Sequence, residues 1–480
     1  MKTKTIFSIL VLTINVFFLS ASGQPIKKHF TIYPAPSEES LSKDYKVFVE
    51  GENLPVYSVK VAPEDQELRW KAMDDKENLG KYYDEAAFAY FDMNDEVDIK
   101  VTTDEEIRSV KILPSSAGIV ANIKGKSVLF KINSPMNVTV EINGNWVSAL
   151  HLFANPIEEN VPDKNDPDVI YFGPGIHYVS NLMVGDNKTV YIAGGAIVRG
   201  IAPEKAEAVF DLRGKNISFR GRGIIDGSLC PSYSRMMIAV AGSDIELEGV
   251  IIRDSSHWTI PVRWSSDRVH IDNLKIMGYR ANSDGIDILN SRNLLIENCF
   301  IRTLDDLVVI KTLKNEGKAE NIIVKKCVLW NEVAHALSIG AEIREDVDNV
   351  IFEDCDIIHD KGREWTLRVF LTDAGRVSNV IFKDIRIKES QRFISLFINK
   401  SIWSQDEERG HIKGVEFNNI SAIGNKLNIE LQGFDQEHLV EDVFFRDVTF
   451  NNQKISTTDV VTNDYVKNIN FEDTLRNLTK

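Results

Sequence analysis

The chain has 480 residues, of which 43% are hydrophobic and 26% charged, and its formal net charge at pH 7 is −15. Such an acidic chain is a poor partner for a polyphosphate, which argues against nucleic-acid binding. The cysteines form no C-x-x-C pair and accompany no histidine cluster at metal spacing, which argues against a disulfide-dense scaffold and a zinc site.

The first residues have the pattern of an export signal. Lys2 and Lys4 precede the apolar run from Ile6 to Leu19, and small residues follow at Ala21, Ser22 and Gly23. The run is too short to span a bilayer comfortably, which makes a membrane anchor the weaker interpretation. We therefore expect residues 1–23 to be a signal peptide, the mature protein to be secreted or periplasmic, and no membrane span after cleavage.

Residues 24–154 alternate short strand-like runs with polar turns. Examples are Lys46 to Glu50, Val97 to Val101 and Val138 to Ile142, and no helical periodicity appears. This pattern predicts a small antiparallel β-sandwich, an accessory domain without a cluster of chemically active residues. Residues 155–167, rich in Pro, Asn, Asp and Glu, are predicted to be the linker.

Residues 168–480 repeat a short apolar pattern. Apolar residues occupy positions 1, 3, 6 and 8 of copies that begin at Ile245, Val269, Leu294, Ile322, Val350, Val380, Val415 and Val443. Strands of this length, separated by Asn, Gly and Asp turns, are typical of a β-solenoid whose coils stack about 4.8 Å apart. The predicted fold is therefore all-β, a right-handed parallel β-helix catalytic domain preceded by the β-sandwich.

Three cysteines support this register. Cys299, Cys327 and Cys355 are 28 residues apart, the spacing of the repeats around them. We expect them to occupy one inward line on successive coils, as a buried stack of small hydrophobic side chains. Cys230 lies outside this stack.

Acidic residues also recur in register. After each repeat the chain turns into a second strand, and Asp284, Asp306 and His335 directly precede three of these strands. They should stack on one outer face, with Asp305 beside Asp306 and Arg368 near the same line. Neighbouring carboxylates push one pKa up, so one group holds a proton while another stays ionised. Inverting glycoside hydrolysis needs such a pair, about 6.5–9.5 Å apart; turn decoration is the alternative.

These residues resemble a known family. Asn282-Ser283-Asp284-Gly285-Ile286-Asp287, Asp305-Asp306 and His335-Ala336-Leu337-Ser338-Ile339-Gly340 are similar to the motifs of glycoside hydrolase family 28, the polygalacturonases. The stretches from Gly221 to Gly227 and from His257 to Thr259 resemble the preceding coils of that family. The resemblance covers roughly Val169 to Arg386. A sandwich ahead of the helix resembles the clan relative family 49, of dextranases and isopullulanases.

The resemblance implies a role for each matching residue. Asp305 would be the general acid, and Asp284 and Asp306 would position and deprotonate the attacking water. His335 would support the protonation state of the acid. The resemblance also implies that Asn282 hydrogen-bonds within the site or to sugar and that Arg368 binds substrate. We expect a polysaccharide or oligosaccharide substrate, no cofactor, no metal and a monomer.

Departures from the family pattern leave the substrate open. His335 lies between alanines rather than glycines, Leu307 replaces the usual Cys, and the Arg-x-Lys pair that grips galacturonate becomes Arg368-Val369-Phe370. A lone guanidinium still binds a carboxylate or sulfate. We therefore expect an inverting hydrolase of pectic or related acidic glycan. The alternatives are a dextranase-like hydrolase of neutral α-glucan, a hydrolase of algal polysaccharide, a β-helix polysaccharide lyase and a glycan-binding solenoid.

Overall fold

A computed structural model of the chain describes residues 29–203 and 206–472, more than half of them in strands and few in helices. The predicted signal peptide, residues 1–23, lies outside the described residues. Within the described residues, no helix has the length and apolar character that crossing a membrane requires.

The N-terminal part of the fold is a β-sandwich with one short helix. Its elements are β1 (Phe30–Ile32), β2 (Lys46–Val49), β3 (Glu52–Leu54), β4 (Tyr57–Val61), α1 (Gln66–Asp74), β5 (Asp84–Met93), β6 (Val97–Thr102), β7 (Val110–Leu113), a 3₁₀ turn (Ser115–Ala117), β8 (Asn122–Lys124), β9 (Ser127–Ile132), β10 (Met136–Ile142) and β11 (Asn145–Pro156). Strands β1, β4, β5, β7, β10 and β11 form one sheet, and β2, β3, β6, β8 and β9 form the other. Alternate side chains of β4 and β6 are buried, as a half-buried strand requires.

Two details of this domain differ from the prediction. Strands β5 and β11 pair in parallel, from Ala87 opposite Leu150 to Met93 opposite Pro156, so the sandwich is mixed rather than antiparallel. A parallel pair needs a long crossover, and residues 94–144 supply it by passing through both sheets. The helix α1 was not predicted because it buries only Arg69 and Ala72, too few residues to produce a helical period.

The rest of the described chain winds into a parallel β-helix of thirty strands. They are β12 (Val169–Phe172), β13 (Gly175–Val179), β14 (Leu182–Val184), β15 (Thr189–Ile192), β16 (Ala196–Gly200), β17 (Ala208–Gly221), β18 (Ile224–Asp226), β19 (Met236–Glu248), β20 (Ile251–Arg253), β21 (Ile260–Val262), β22 (Asp267–Asp272), β23 (Lys275–Met277), β24 (Ile286–Leu289), β25 (Arg292–Glu297), β26 (Phe300–Thr303), β27 (Val308–Thr312), β28 (Ala319–Lys325), β29 (Val328–Asn331), β30 (Leu337–Ile343), β31 (Val347–Glu353), β32 (Asp356–Asp360), β33 (Leu367–Leu371), β34 (Arg376–Ser390), β35 (Ile394–Ile398), β36 (His411–Gly424), β37 (Ile429–Gln432), β38 (Val440–Phe450), β39 (Gln453–Lys454), β40 (Val461–Thr462) and β41 (Val466–Glu472), with a 3₁₀ turn at Thr457–Asp459. The predicted fold class is confirmed.

Three parallel sheets form the walls of this helix. In its central coils β22, β25, β28 and β31 pair in the first sheet, β23, β26, β29 and β32 in the second, and β24, β27, β30 and β33 in the third. The repeats fall into the predicted register, with Leu294, Ile322, Val350 and Val380 opposite one another. Their side chains are buried in one continuous core, which grows by one layer with each coil.

An asparagine in a left-handed conformation lies near the start of successive strands of the first sheet. Asn293, Asn321, Asn349 and Asn379 all have φ between 55° and 57°, a left-handed conformation that asparagine tolerates better than most residues. The carboxamide of Asn321 donates to Asn293 at 2.9 Å, and that of Asn349 donates to Asn321 at 2.8 Å. These side chains therefore form a ladder that ties successive turns together.

The predicted cysteine stack is present. Cys299, Cys327 and Cys355 are free thiols and at most 1% exposed. Each thiol donates to a carbonyl two residues earlier, at 3.2 to 3.4 Å. Burial among neighbouring thiols makes them part of the hydrophobic core.

The sandwich packs on the second sheet. Tyr57, Phe88 and Phe153 of the sandwich and Ile251 and Phe300 of the helix belong to one buried apolar cluster. Because the turns from the second to the third sheet begin at this edge, the sandwich lies next to the turns that carry the acidic residues.

Candidate active site

The acidic residues lie where the chain turns from the second to the third sheet. Ile286 pairs with Val308 and Val308 with Leu337, so Asp284, Asp306 and His335 occupy equivalent positions on three successive coils. Main-chain bonds fix this register, since Gly285 N–H donates to Asp306 O at 2.8 Å and Leu307 N–H donates to His335 O at 2.9 Å. The repeat therefore sets the spacing of these side chains along the helix axis.

Asp305 projects beside this line. Its Oδ2 accepts from the Asn282 N–H at 3.1 Å, and its Oδ1 accepts from the Asp306 N–H at 3.0 Å. Burial and the neighbouring charge of Asp306 raise the pKa of Asp305 to about 7, although Lys311 and the two N–H groups act in the opposite direction. Asp305 can therefore carry a proton near neutral pH.

Asp306 has the opposite character. Burial alone would raise its pKa, but His335, Lys311 and Arg368 outweigh this effect and hold the pKa well below the usual range. The Asp306 Oδ1 lies 2.6 Å from His335 Nδ1. Burial and the nearby Arg368 lower the pKa of His335, whereas Asp306 raises it, and the short contact ties the ring to an ionised Asp306.

Lys311 is the site residue that the sequence reasoning missed. Its Nζ lies 2.9 Å from Asp287 Oδ1 and 3.4 Å from Asp284 Oδ2. Burial acts to lower the pKa of Lys311, but Asp287, Asp284 and Asp306 raise it well above the usual value. Lys311 and Val309 lie on the same outward face of β27, and Val309 pairs with Asp287 of β24, so strand alternation places Lys311 near the cluster but does not reveal its ion pairs.

Asp284 and Asp287 share this ammonium group. Both are almost completely buried, and Asp284 Oδ1 and Asp287 Oδ2 have no hydrogen-bond partner among the described residues. Burial is the main cause that raises the pKa of both, and for Asp284 the carboxylates of Asp287 and Asp305 add to it. Asp284 and Asp287 can therefore hold a proton close to Asp306.

The carboxylates lie closer together than predicted. One oxygen each of Asp284, Asp305 and Asp306 fall within 4.8 Å of one another, whereas a separation of 6.5–9.5 Å was expected. Asp284 and Asp306 lie on adjacent rungs, about 4.8 Å apart, and Asp305 is the chain neighbour of Asp306, which brings the oxygens of all three together. Three carboxylates at this spacing also suit a divalent cation, so the expected absence of a metal stays a prediction.

Arg368 and Asn282 lie at the margins of this cluster. Arg368 pairs with Ser338, three positions along the strand from the line of His335, and its Nε donates to Ser338 Oγ at 3.0 Å. Among the residues that the structure describes, no carboxylate lies within ion-pair distance of its guanidinium. Asn282 adopts φ 57° and contributes its main-chain N–H to Asp305.

Two aromatic residues complete the surroundings. The ring of Trp258 lies 4.7 Å from Lys311 Nζ, and Tyr233 is 41% exposed. Burial raises the pKa of Tyr233, and the nearby Asp305 and Asp284 raise it further. Together the cluster offers a proton donor, an ionised acceptor and a fixed cation around one small space, which suits acid–base catalysis.

Comparisons with known proteins find sequence relatives among the polygalacturonases. The chain is 37% identical over 83 residues to an endo-polygalacturonase of Pectobacterium carotovorum, covering 17% of this chain and 19% of that protein. It is 28% identical over 183 residues to a probable exopolygalacturonase X of Aspergillus fumigatus, covering 34% and 40% of the two chains. These matches therefore span less than half the length of either relative.

A solved structure and a family model extend the comparison. Dex49A from Penicillium minioluteum is similar to the fold with a TM-score of 0.64 and 14% identity, covering 92% of this chain and 96% of that chain. The family model described as glycosyl hydrolases family 28 matches residues 205–473, more than half of the chain and the part that carries the carboxylate cluster. The chain belongs to glycosyl hydrolases family 28.

Proposed function

We propose that this protein is a secreted, monomeric inverting hydrolase that cleaves glycosidic bonds in a pectic or related acidic polysaccharide. Asp305 is the general acid, Asp306 deprotonates the attacking water, Asp284 positions that water, and His335 orients Asp306. The observation that carries the proposal is the cluster of Asp284, Asp305 and Asp306, whose nearest oxygens lie within 4.8 Å of one another, with His335 Nδ1 2.6 Å from Asp306. In this cluster the pKa of Asp305 is raised to about 7 and that of Asp306 is lowered. An acid and a base in their working states at one pH are what the reaction requires. The nearest carboxylate oxygens lie within 4.8 Å, closer than the usual spacing of inverting enzymes, so inversion is proposed from the family resemblance and not from this distance.

The reaction follows from these protonation states. Asp305 gives its proton to the glycosidic oxygen as the bond to the anomeric carbon breaks. Asp306 takes a proton from a water molecule, whose oxygen forms the new bond on the opposite face of the sugar. Water then returns the proton to Asp305 and receives the one on Asp306. Asp284 holds the same water. The positive charge of Lys311 offsets the negative charge of the carboxylates.

An acidic substrate is favoured by Arg368. Its guanidinium has no ion-pair partner among the described residues, and a guanidinium binds a carboxylate or sulfate through two parallel hydrogen bonds. The two curated relatives named above are polygalacturonases by description, which supports a pectic chain. A neutral glycan is the second candidate, because Phe370, whose ring lies 5.6 Å from the Arg368 guanidinium, stands in place of the family lysine.

The charge state of Lys311 argues against elimination. A polysaccharide lyase needs an unprotonated base to abstract a proton from carbon, whereas Asp287 and Asp284 keep Lys311 protonated at neutral pH. Arginine is an even weaker candidate for that base, because its guanidinium holds its proton more tightly than an ammonium.

The experiment that tests the proposal compares products on polygalacturonate, dextran and a sulfated algal polysaccharide. We expect new reducing ends on polygalacturonate without ultraviolet-absorbing unsaturated products, unchanged by a chelator. Proton NMR of the first products should give the anomer opposite to the substrate linkage. Unsaturated products would indicate a lyase, bound but uncut glycan would indicate a binding solenoid, and initial retention of the anomer would contradict the water mechanism.

A further inference from the structure

The loop between β4 and β5 is unusually long for a hairpin. Val61 pairs directly with Asp84 in this antiparallel pair, so residues 62–83 are the hairpin loop and include α1. Ordinary hairpin loops contain two to five residues, and much longer ones in a compact domain usually have a function. The sandwich needs only a tight turn at this position, so its own fold does not account for the loop.

One end of the loop packs on the turns that carry the acid and the histidine. Ala72 of α1 is buried in a cluster with Leu304 and Val333, which precede Asp305 and His335 by one and two residues. Asp74 receives two hydrogen bonds from Arg363, at 2.6 and 2.7 Å. The Arg363 N–H donates in turn to Val333 O at 3.0 Å, which joins the helix to the His335 turn.

The other end of the loop packs on the turn before Asn282. Tyr279 donates its hydroxyl hydrogen to Gly80 O at 3.2 Å, and its ring meets that of Tyr83 at 5.4 Å. The Lys60 ammonium lies 4.5 Å from the Tyr83 ring and 5.5 Å from the Tyr279 ring. A Cβ atom added at Gly80 would lie 3.3 Å from Oγ of Ser232, the residue before Tyr233. The loop is therefore in close contact with the segment that carries Tyr233.

We infer that residues 62–83, the clamp loop, are a working part of the active site and hold the turns of Asn282, Asp305 and His335 in their catalytic arrangement. The inference rests on the proposed hydrolase function. The clamp loop contacts the turns of four successive coils, through Tyr279, Leu304, Val333 and Arg363, and three of these turns carry Asn282, Asp305 and His335. Its residues are positioning residues, because they act through the turns and not on substrate.

The direct test replaces residues 62–83 by Asn-Gly, a dipeptide suited to the type I′ turn of a two-residue hairpin. We expect the shortened chain to fold, with kcat lower by about 10- to 100-fold and KM little changed, since small displacements of catalytic groups cost this much. Amide hydrogens of residues 303–306 and 332–335 should exchange faster. Wild-type kcat together with wild-type exchange would overturn the inference.

Point variants keep the test decisive if the shortened chain does not fold. Asp74→Ala should lower kcat and speed exchange at residues 332–335 without lowering Tm, and Asp74→Glu should restore both. Glu105→Ala, which removes an exposed carboxylate of the sandwich, is the matched control and should change neither. Equal kcat and exchange in Asp74→Ala and Glu105→Ala would refute the clamp. If the wild-type protein cuts no glycan, the proposed function fails, whereas the exchange comparison still decides the clamp.

Discussion

At the scale of single residues, Asp305 determines how the rate depends on pH. Since burial and Asp306 raise its pKa to about 7, the acid form is lost as the pH rises through that value. We expect kcat/KM to fall about tenfold per pH unit above pH 7. Because the pKa of Asp306 is lowered, activity should persist well below pH 6. Initial rates between pH 4 and 9 test this, and a flat profile through pH 9 would contradict it.

The raised pKa of Asp305 also has a cost in stability. Below about pH 4 the carboxyl is protonated in both the folded and the unfolded chain, and it contributes nothing. Between pH 4 and 7 only the folded chain holds the proton, so stability falls as the pH rises, by a few kcal/mol in total. Asp305→Asn should therefore raise Tm more at pH 8 than at pH 4.

The amide in Asp305→Asn can accept only one of the two main-chain N–H groups that the carboxylate accepts, from Asn282 and Asp306. This loss lowers Tm by a similar amount at every pH, so the difference between pH 8 and pH 4 is the informative quantity. Denaturation scans of the two proteins at both pH values measure it. If Asp305→Asn changes Tm equally at pH 8 and pH 4, the ionised carboxylate of Asp305 does not destabilise the fold.

Part of the site could be predicted from the sequence because the chain repeats. Repeat spacing sets the register of a solenoid, so the spacing alone places Asp284, Asp306 and His335 on successive coils. Lys311 could not be recognised in this way, because its importance depends on the side-chain contacts with Asp287 and Asp284. The closeness of the carboxylates was also missed, since a diagonal across coils was assumed.

At the scale of elements, stacked side chains hold neighbouring coils together. Phe352, Phe382, Phe417, Phe445 and Phe471 form a column with ring centroids 4.9 to 5.2 Å apart. Phe417 is fully buried, whereas Phe471 is only partly buried at the end of the column. The first four residues occupy the third position of the repeats that begin at Val350, Val380, Val415 and Val443, and Phe471 continues the line.

Removing a ring from the middle of this column should destabilise the fold. Phe417→Ala is expected to cost about 3–5 kcal/mol through the cavity it leaves, and Phe471→Ala distinctly less, because the end of the column is partly open. Chemical denaturation of both variants gives the comparison, and kcat of the folded fraction should stay unchanged. Equal losses for the two variants would contradict a core that grows coil by coil.

Some elements could not be predicted from local sequence. The helix α1 buries two residues, and the parallel pairing of β5 with β11 depends on a connection through the other sheet. Neither leaves a periodic trace in the chain. Long-range packing determines both the helix and this pairing. For this reason the clamp loop was not predicted, whereas every strand of the first sheet from β22 to β38 was.

At the scale of the whole molecule, buried charges join the sandwich to the helix. Arg222 lies 3.1 Å from Asp92 Oδ1 and 2.7 Å from Glu248 Oε1, and Arg222 and Asp92 are at most 1% exposed. Tyr33 donates to Asp92 Oδ2 at 2.8 Å. Charges buried this deeply are tolerated only as pairs.

Breaking this pair should therefore weaken both parts of the molecule at once. Arg222→Met leaves Asp92 buried without its counter-charge and is expected to cost about 3–5 kcal/mol. The double variant Arg222→Met with Asp92→Asn should recover part of that loss. Calorimetry would show whether one cooperative transition shifts as a whole. A sandwich that melts separately, leaving the helix at its wild-type Tm, would contradict a shared fold.

Turnover by Asp305→Asn tests the central claim most directly, since the substitution removes the transferable proton with little change of shape. With polygalacturonate as substrate, the account predicts a fall in kcat of about 10²- to 10⁴-fold, a modest change in KM and no loss of Tm at neutral pH. Near-normal turnover in this variant would contradict the assignment of Asp305 as the general acid.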